Sequence, residues 1–267
     1  MKHTYISLGS ACNAATMIKR AGLRKVSYPF DWLLNSDSGL ASVNEMIKDD
    51  FQKVTEADCY ALSYQPIIGK DIVAYKDYQT VFHVHSNPME SREAHQDLVR
   101  RFERFRQIIT SDESLHFVYY RNLSVSRKAT PDITPLQLLE QMLIEANDFL
   151  SIILPIRRGG TSLLLVVEAD VEDTQAVDEA LRSLSISIPQ ISVARALSRY
   201  DDDKVLNLRW QREWMRLLIV NTDMPILVRI ACTTRIAAKT ARAAIRSWFK
   251  ERFAFRSNSA GSPSSNR

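Results

Sequence analysis

One stretch constrains the fold of this chain more than any other: Ser162 to Glu168, reading SLLLVVE. An almost unbroken apolar run of that length has no polar face to offer water. As a strand it must be covered on both sides. Sheets covered on both faces are mostly parallel, with helices in the crossovers between strands. The rest of the sequence supplies those partners. Tyr5 to Leu8, residues 79–85 (QTVFHVH) and His116 to Arg121 carry strand periodicity, and residues 186–193 and 226–231 are further strand candidates. Helical spacing marks residues 14–21, closed by Gly22, and residues 40–51, 135–153, 177–184 and 205–220. A long helix from Ser91 to about Thr110 opens on a serine cap with Glu90 and Glu93 beside it. Residues 55–78 are irregular. The alternation predicts a layered α/β/α domain around a mainly parallel sheet of about five or six strands, including 4–8, 79–85, 116–121 and 162–168.

Composition narrows the class. A chain of 267 residues, 45% hydrophobic and 25% charged, can bury a core without a disulfide or a metal. No apolar run approaches the roughly 20 residues of a membrane span. Met1-Lys2-His3-Thr4 leads into a strand without the apolar region of a secretory signal. Cys12, Cys59 and Cys232 are odd in number and widely spaced, which predicts reduced thiols and a cytoplasmic protein. With seven glycines there is neither a dinucleotide fingerprint nor a phosphate-binding loop. There is no CxxC or HExxH either, so no cofactor or metal is expected.

The net charge of +4 is unevenly spread. From Arg229 onward nine Lys/Arg face one acid, Glu251, which leaves −4 for the first 228 residues. The expected organisation is one α/β domain over 1–256, ending in a basic amphipathic helix at about 234–253, with a disordered tail over 257–267. In that helix Arg235, Lys239, Arg242, Arg246 and Lys250 share a face, beside Trp248, Phe249 and Phe253. Such a stripe suits an anionic surface or an acidic partner, or is a solvated face of a packed helix.

The residue that most suggests chemistry is Cys12, in the first turn of a helix that follows a strand and a tight turn. Free backbone N–H groups and the helix dipole favour an anion there, and the same groups can stabilise an oxyanion. A small buried core cysteine is the plain alternative. A nucleophilic cysteine needs a base. His83 and His85 stand two apart on a predicted strand, so both are expected on one face. Asp31 and Asp170 are the candidates to orient the base. Asp31 could instead cap a turn. Arg101, Arg104 and Arg121 could bind a carboxylate or phosphate, or form structural ion pairs. Tyr28, Phe30 and Trp32, clustered around Pro29, are expected to plug the core next to the Cys12 helix.

Three blocks in order, Leu8-Gly9-Ser10-Ala11-Cys12, Gly22-Leu23-Arg24 and Pro29-Phe30-Asp31-Trp32, resemble the opening of a mainly bacterial family described as "putative papain-like cysteine peptidase". The order continues through Val81 to His85, Arg100-Arg101-Phe102-Glu103-Arg104-Phe105 and Phe117-Val118-Tyr119-Tyr120-Arg121. The resemblance implies a thiol hydrolase or acyltransferase with a Cys–His site, carried onto Cys12 and His85, with His83 as the rival match. It adds a papain-like α+β fold as the alternative architecture. Ser86-Asn87 stands where the family pattern has Asp-Phe, which leaves the base open between the two histidines. The substrate class is a peptide or a glycan. A non-catalytic peptide- or glycan-binding module on the same fold is the reading from a different class.

Overall fold

A computed structural model describes residues 2–35, 39–198 and 204–222, together with 224, 226, 229–234, 237–238 and 241–242. The chain divides into two units, Met1–Met224 and Pro225–Arg267. In chain order the first part of the larger unit comprises β1 (His3–Ser7), α1 (Cys12–Ala21), β2 (Leu33–Leu34), α2 (Gly39–Lys48) and α3 (Gln52–Thr55). Next come β3 (Tyr60–Gln65), β4 (Lys70–Tyr75), β5 (Phe82–His83), α4 (Arg92–Ile109), β6 (Ser114–Asn122) and α5 (Leu123–Ala129). The unit continues with α6 (Pro135–Ile153), β7 (Thr161–Ala169), α7 (Thr174–Ser183), β8 (Ile191–Leu197) and α8 (Lys204–Asn221).

Four strands form a wholly parallel sheet in the order β1-β6-β7-β8. Each strand is added beside the last, so right-handed crossovers place α4, α6 and α7 on one face. Phe117 of β6 meets Phe149 of α6 and Phe105 of α4 there. The other face is covered by α1, through Ala14, Ala15, Met17 and Ile18, and by α8, whose Trp214 packs on Tyr120. The run at 162–168 lies in β7, one of the two central strands, where Leu163 to Val167 are wholly buried. Helix ends follow local chemistry. Ser91 Oγ accepts the Ala94 N–H at the start of α4, and Thr134 with Gln137 forms a capping box before α6.

The expected single sheet is corrected in two ways. The parallel sheet has four strands, and the 79–85 segment is not in it. Gln79 and Thr80 lie exposed in a turn, and only Phe82–His83 is extended before the chain bends. That short strand belongs to a second, antiparallel sheet in the order β2-β5-β4-β3. The supposedly irregular stretch supplies the hairpin of that sheet: β3 and β4 pair from Tyr60–Tyr75 to Gln65–Lys70 around a turn closed by Gly69. The last strand of the parallel sheet is Ile191–Leu197, further along than 186–193. The strand expected at 226–231 is overturned, since Ile226 and residues 229–231 are helical. Residues 234, 237, 238, 241 and 242 are helical too, and Arg242 is exposed. The other four cations of the predicted stripe and the 257–267 tail lie outside the described residues. Among the described residues no helix is long and apolar enough to cross a membrane.

Candidate active site

The carboxyl ends of parallel strands are where α/β sheets gather their chemistry, because the loops there lead into helix N-termini. The loop after β1 shows how. Leu8 still pairs with β6, its N–H donating to Val118 O at 2.9 Å, and then Gly9 and Ser10 take left-handed φ of 89° and 73°. A Cβ on Gly9 would come 2.7 Å from Asn35 Oδ1, so glycine is needed both for its φ and for the space. Asn35 holds this loop shut. Its side-chain oxygen accepts the Ser10 N–H, its own N–H donates to Ser10 O at 3.3 Å, and its Nδ2 donates to Gly39 O at 2.8 Å.

Cys12 is the first residue of α1 and is half-buried. The cap position is Ala11, no acid lies within the first turn, and among the described residues no side chain accepts from it. The orphan N–H groups of the helix start therefore remain for an anion. Cys59 and Cys232 differ, as both are buried, and burial pushes the Cys59 thiol up to about 11.

Behind Cys12 runs a network that sequence reasoning passed over. Asn13 Nδ2 donates to Tyr120 Oη at 2.9 Å, and Tyr120 Oη donates to Glu168 Oε1 at 3.2 Å. Glu168 is 2% exposed and accepts also from Asn122 Nδ2 and from the indoles of Trp210 and Trp214. Burial raises its pKa, against those donors. The available signal was Glu168 itself, a charge closing a strand otherwise apolar. A second buried carboxylate, Glu145, accepts the Leu40 N–H at the start of α2 at 2.8 Å and the Tyr119 hydroxyl at 3.3 Å. Arg121 lies 3.9 Å from it, which makes Arg121 part of a structural ion pair. Gly39 permits this crossing, since a Cβ there would strike Arg121, Glu145 and Tyr119.

The histidines come from the second sheet. β2 links the two regions: Asn35 closes the Cys12 loop, and Leu33 just before it pairs with His83. The expectation that His83 and His85 share a face fails, because the strand ends at His83 and the chain bends at residues 84 and 85. His83 is 4% exposed, edge-on to Tyr75 and Tyr60, with its Nε2 unpartnered. Desolvation lowers its pKa to about 3. His85 is exposed and meets Trp32 edge-on at 5.6 Å. Among the described residues no hydrogen bond joins Cys12 Sγ to either ring.

Asp31 is buried in the Pro29–Trp32 turn, where its Oδ2 accepts the Tyr28 N–H at 3.2 Å and pairs with Arg24 at 3.3 Å. Burial pushes its carboxyl up to about 6, opposed by the Tyr28 N–H and by Arg24 and Arg101. No hydrogen bond links it to a histidine among the described residues. Asp170 accepts from Ser124 Oγ beyond the end of β7, and among the described residues no hydrogen bond links it to either histidine. Phe30 and Tyr28 do plug the core, packing on Phe102 and Phe105 of α4. Trp32 is the exception: it is half-buried, with the Arg24 guanidinium 5.1 Å over its ring. Among the described residues no cluster of three or more His, Cys, Asp or Glu is placed to hold a metal.

Comparison with known proteins agrees with the opening motifs. The chain is similar to "Uncharacterized protein R408" of Acanthamoeba polyphaga mimivirus, 28% identical over 156 residues that cover 49% of this chain and 69% of that protein. No solved structure matches this chain. A family model described as "Putative papain-like cysteine peptidase (DUF1796)" matches residues 3–152, more than half the chain and every element from β1 to all but the last residue of α6. The half-buried cysteine after β1, the Asn35 clamp and the Pro29–Trp32 turn all fall inside that match, and the chain belongs to this family.

Proposed function

We propose that the protein is a thiol hydrolase that works by acyl transfer through Cys12. The observation that carries this reading is the placement of the cysteine: half-exposed, first in α1, at the carboxyl end of β1, with no side chain capping the helix. Cys12 Sγ gives its proton to an imidazole and attacks a carbonyl carbon, forming a C–S bond. The carbonyl oxygen takes negative charge and is met by first-turn N–H groups. The carbon–leaving-group bond breaks as the imidazolium returns the proton to the leaving group, and water then hydrolyses the thioester. His85 is the better base of the two, because it can exchange protons with solvent while His83 is held neutral and enclosed. Its contact with Cys12 forms in the substrate complex, as catalytic hydrogen bonds often do. Asp31, engaged by Tyr28 and Arg24, acts by holding the turn that carries Trp32 and not by touching the base.

The test is acylation by p-nitrophenyl acetate. The expected result is a nitrophenolate burst of about one per chain with the acetyl group on Cys12 by mass spectrometry, and no burst in Cys12→Ala. A burst that survives in Cys12→Ala, or an acetyl group on Cys59 or Cys232, overturns the reading. The second reading, a peptide- or glycan-binding module, draws on the lack, among the described residues, of any hydrogen bond between Cys12 and a base. It predicts no burst in the wild type.

A further inference from the structure

On α4, Asp97, Arg100, Arg101 and Arg104 are spaced so that their side chains neighbour one another along the helix. This helix packs against the Pro29–Trp32 turn, which brings Asp31 and Arg24 into the same charge cluster. The cluster holds four arginines and two acids, and each acid already has its own partner. Asp97 pairs with Arg100, and Asp31 pairs with Arg24 at 3.3 Å. Arg104 spends its donors on backbone carbonyls, Ser27 O at 2.8 Å and Arg100 O at 3.1 Å. Its charge is not neutralised by them.

Arg101 is the odd member. Its guanidinium is half-buried and, among the described residues, makes no hydrogen bond and no ion pair. Asp97 and Asp31 act on it only through space, and Arg24 and Arg104 repel it. Burial lowers its pKa, the direction expected of a cation removed from water without a counter-charge. An arrangement of this kind works against stability in the free protein and becomes favourable when a ligand supplies the missing anion. The excess is two positive charges, carried by the whole Arg101 fork and by the Arg104 N–H groups, chiefly at Nη2, that bond no carbonyl. A phosphate monoester near neutral pH carries about −1.5 to −2 and offers three acceptor oxygens, which matches both the charge and the donor geometry. A carboxylate would leave one charge unmet. Trp32 borders the cluster beneath Arg24.

We propose that Arg101 and Arg104, with Arg24 beside them, form a binding site for the phosphate monoester group of a small ligand. The site adjoins Trp32 and His85 but does not depend on thiol chemistry, so it is tested by binding alone.

The experiment titrates the full chain calorimetrically with phenyl phosphate at constant ionic strength, and in parallel with acetate. The expected result is saturable one-to-one binding of phenyl phosphate, weakened about tenfold or more in Arg101→Gln and in Arg104→Gln. Arg106→Gln, whose arginine lies on the same helix but is paired with Asp50 of the α2–α3 loop, should bind as the wild type does. Arg101→Lys should fall between, since it keeps the charge and loses the fork. Absence of saturable binding, equal weakening in Arg106→Gln, or acetate bound as tightly as phenyl phosphate overturns the proposal. Arg101→Gln should also melt no lower than the wild type in anion-free buffer, because it gives up no partner. A lower melting temperature together with unchanged phosphate affinity identifies Arg101 as a structural residue and sinks the site.

Discussion

The two sheets differ in how fully their buried polar groups are met. In the parallel sheet each buried carboxylate is met by several donors: Glu168 by Tyr120, Asn122, Trp210 and Trp214, and Glu145 by Leu40 N–H, Tyr119 and Gln141. Among the described residues the strands of the antiparallel sheet leave three buried polar atoms unmet, whereas those of the parallel sheet leave one, Arg195 Nη1 of β8, which lies 3.8 Å from Glu213. The three are His83 Nε2, Tyr75 Oη and Gln65 Nε2. The same sheet exposes Leu62 and Tyr64 on its edge strand. A satisfied network rigidifies a scaffold, whereas unmet groups are costs that a scaffold alone does not explain. Asn35 ties the Cys12 loop to the segment that carries β2 into the antiparallel sheet.

The sharpest way to break this comparison is at the turn where the regions meet. Phe30→Ala should cost about 3–5 kcal/mol, since the ring is enclosed by Phe102 and Phe105. Trp32→Ala should cost less than about 1 kcal/mol, because that ring is half-exposed. Chemical denaturation of the two variants checks both, and equal losses would erase the distinction between plug and rim.

Acid and base dependence sharpens it further. The Asp31 carboxyl is raised from its ordinary 3.8 to about 6 by burial. Between those values the unfolded chain has released a proton that the folded chain keeps, so stability falls as pH rises. The loss attributable to Asp31 should reach up to roughly 3 kcal/mol above pH 6. Asp31→Asn should lack that slope when both proteins are unfolded in denaturant at pH 4 and 6. His83 has the opposite sign. Its folded pKa of about 3 lies below the ordinary 6.5, so its contribution is complete above 6.5 and is lost as pH falls through that interval. At about pH 5 the loss should be roughly 2 kcal/mol relative to His83→Phe. A parallel pH profile for His83→Phe would show that the imidazole is not held neutral by the fold.

The same contrast explains what could be read from sequence. Strands of the parallel sheet announce themselves, because a run such as Leu163 to Val167 has only one way to be buried on both faces. The long helices follow from their caps at Ser91 and Thr134. The antiparallel sheet does not announce itself: β3 exposes Leu62 and Tyr64, and β5 is two residues long, so neither shows a pattern of burial. Cys12 at a helix start was legible from the Leu8-Gly9-Ser10 turn. The parting of His83 from His85 was not, since an alternating sequence does not mark where a strand stops pairing. Asn35 and Glu168 act through contacts distant in sequence, and only the fold brings those partners together.

The most direct test of the account is the alkylation rate of each cysteine by iodoacetamide as a function of pH, resolved by mass spectrometry in the wild type, His85→Ala and His83→Ala. Cys12 should react fastest, with substantial reactivity at pH 6, where an ordinary thiol of pKa about 8.5 is almost wholly protonated. His85→Ala should slow it at that pH, and His83→Ala should not. If Cys12 at pH 6 reacts no faster than Cys59 and Cys232, or if neither histidine changes its rate, the thiol site is not the one described.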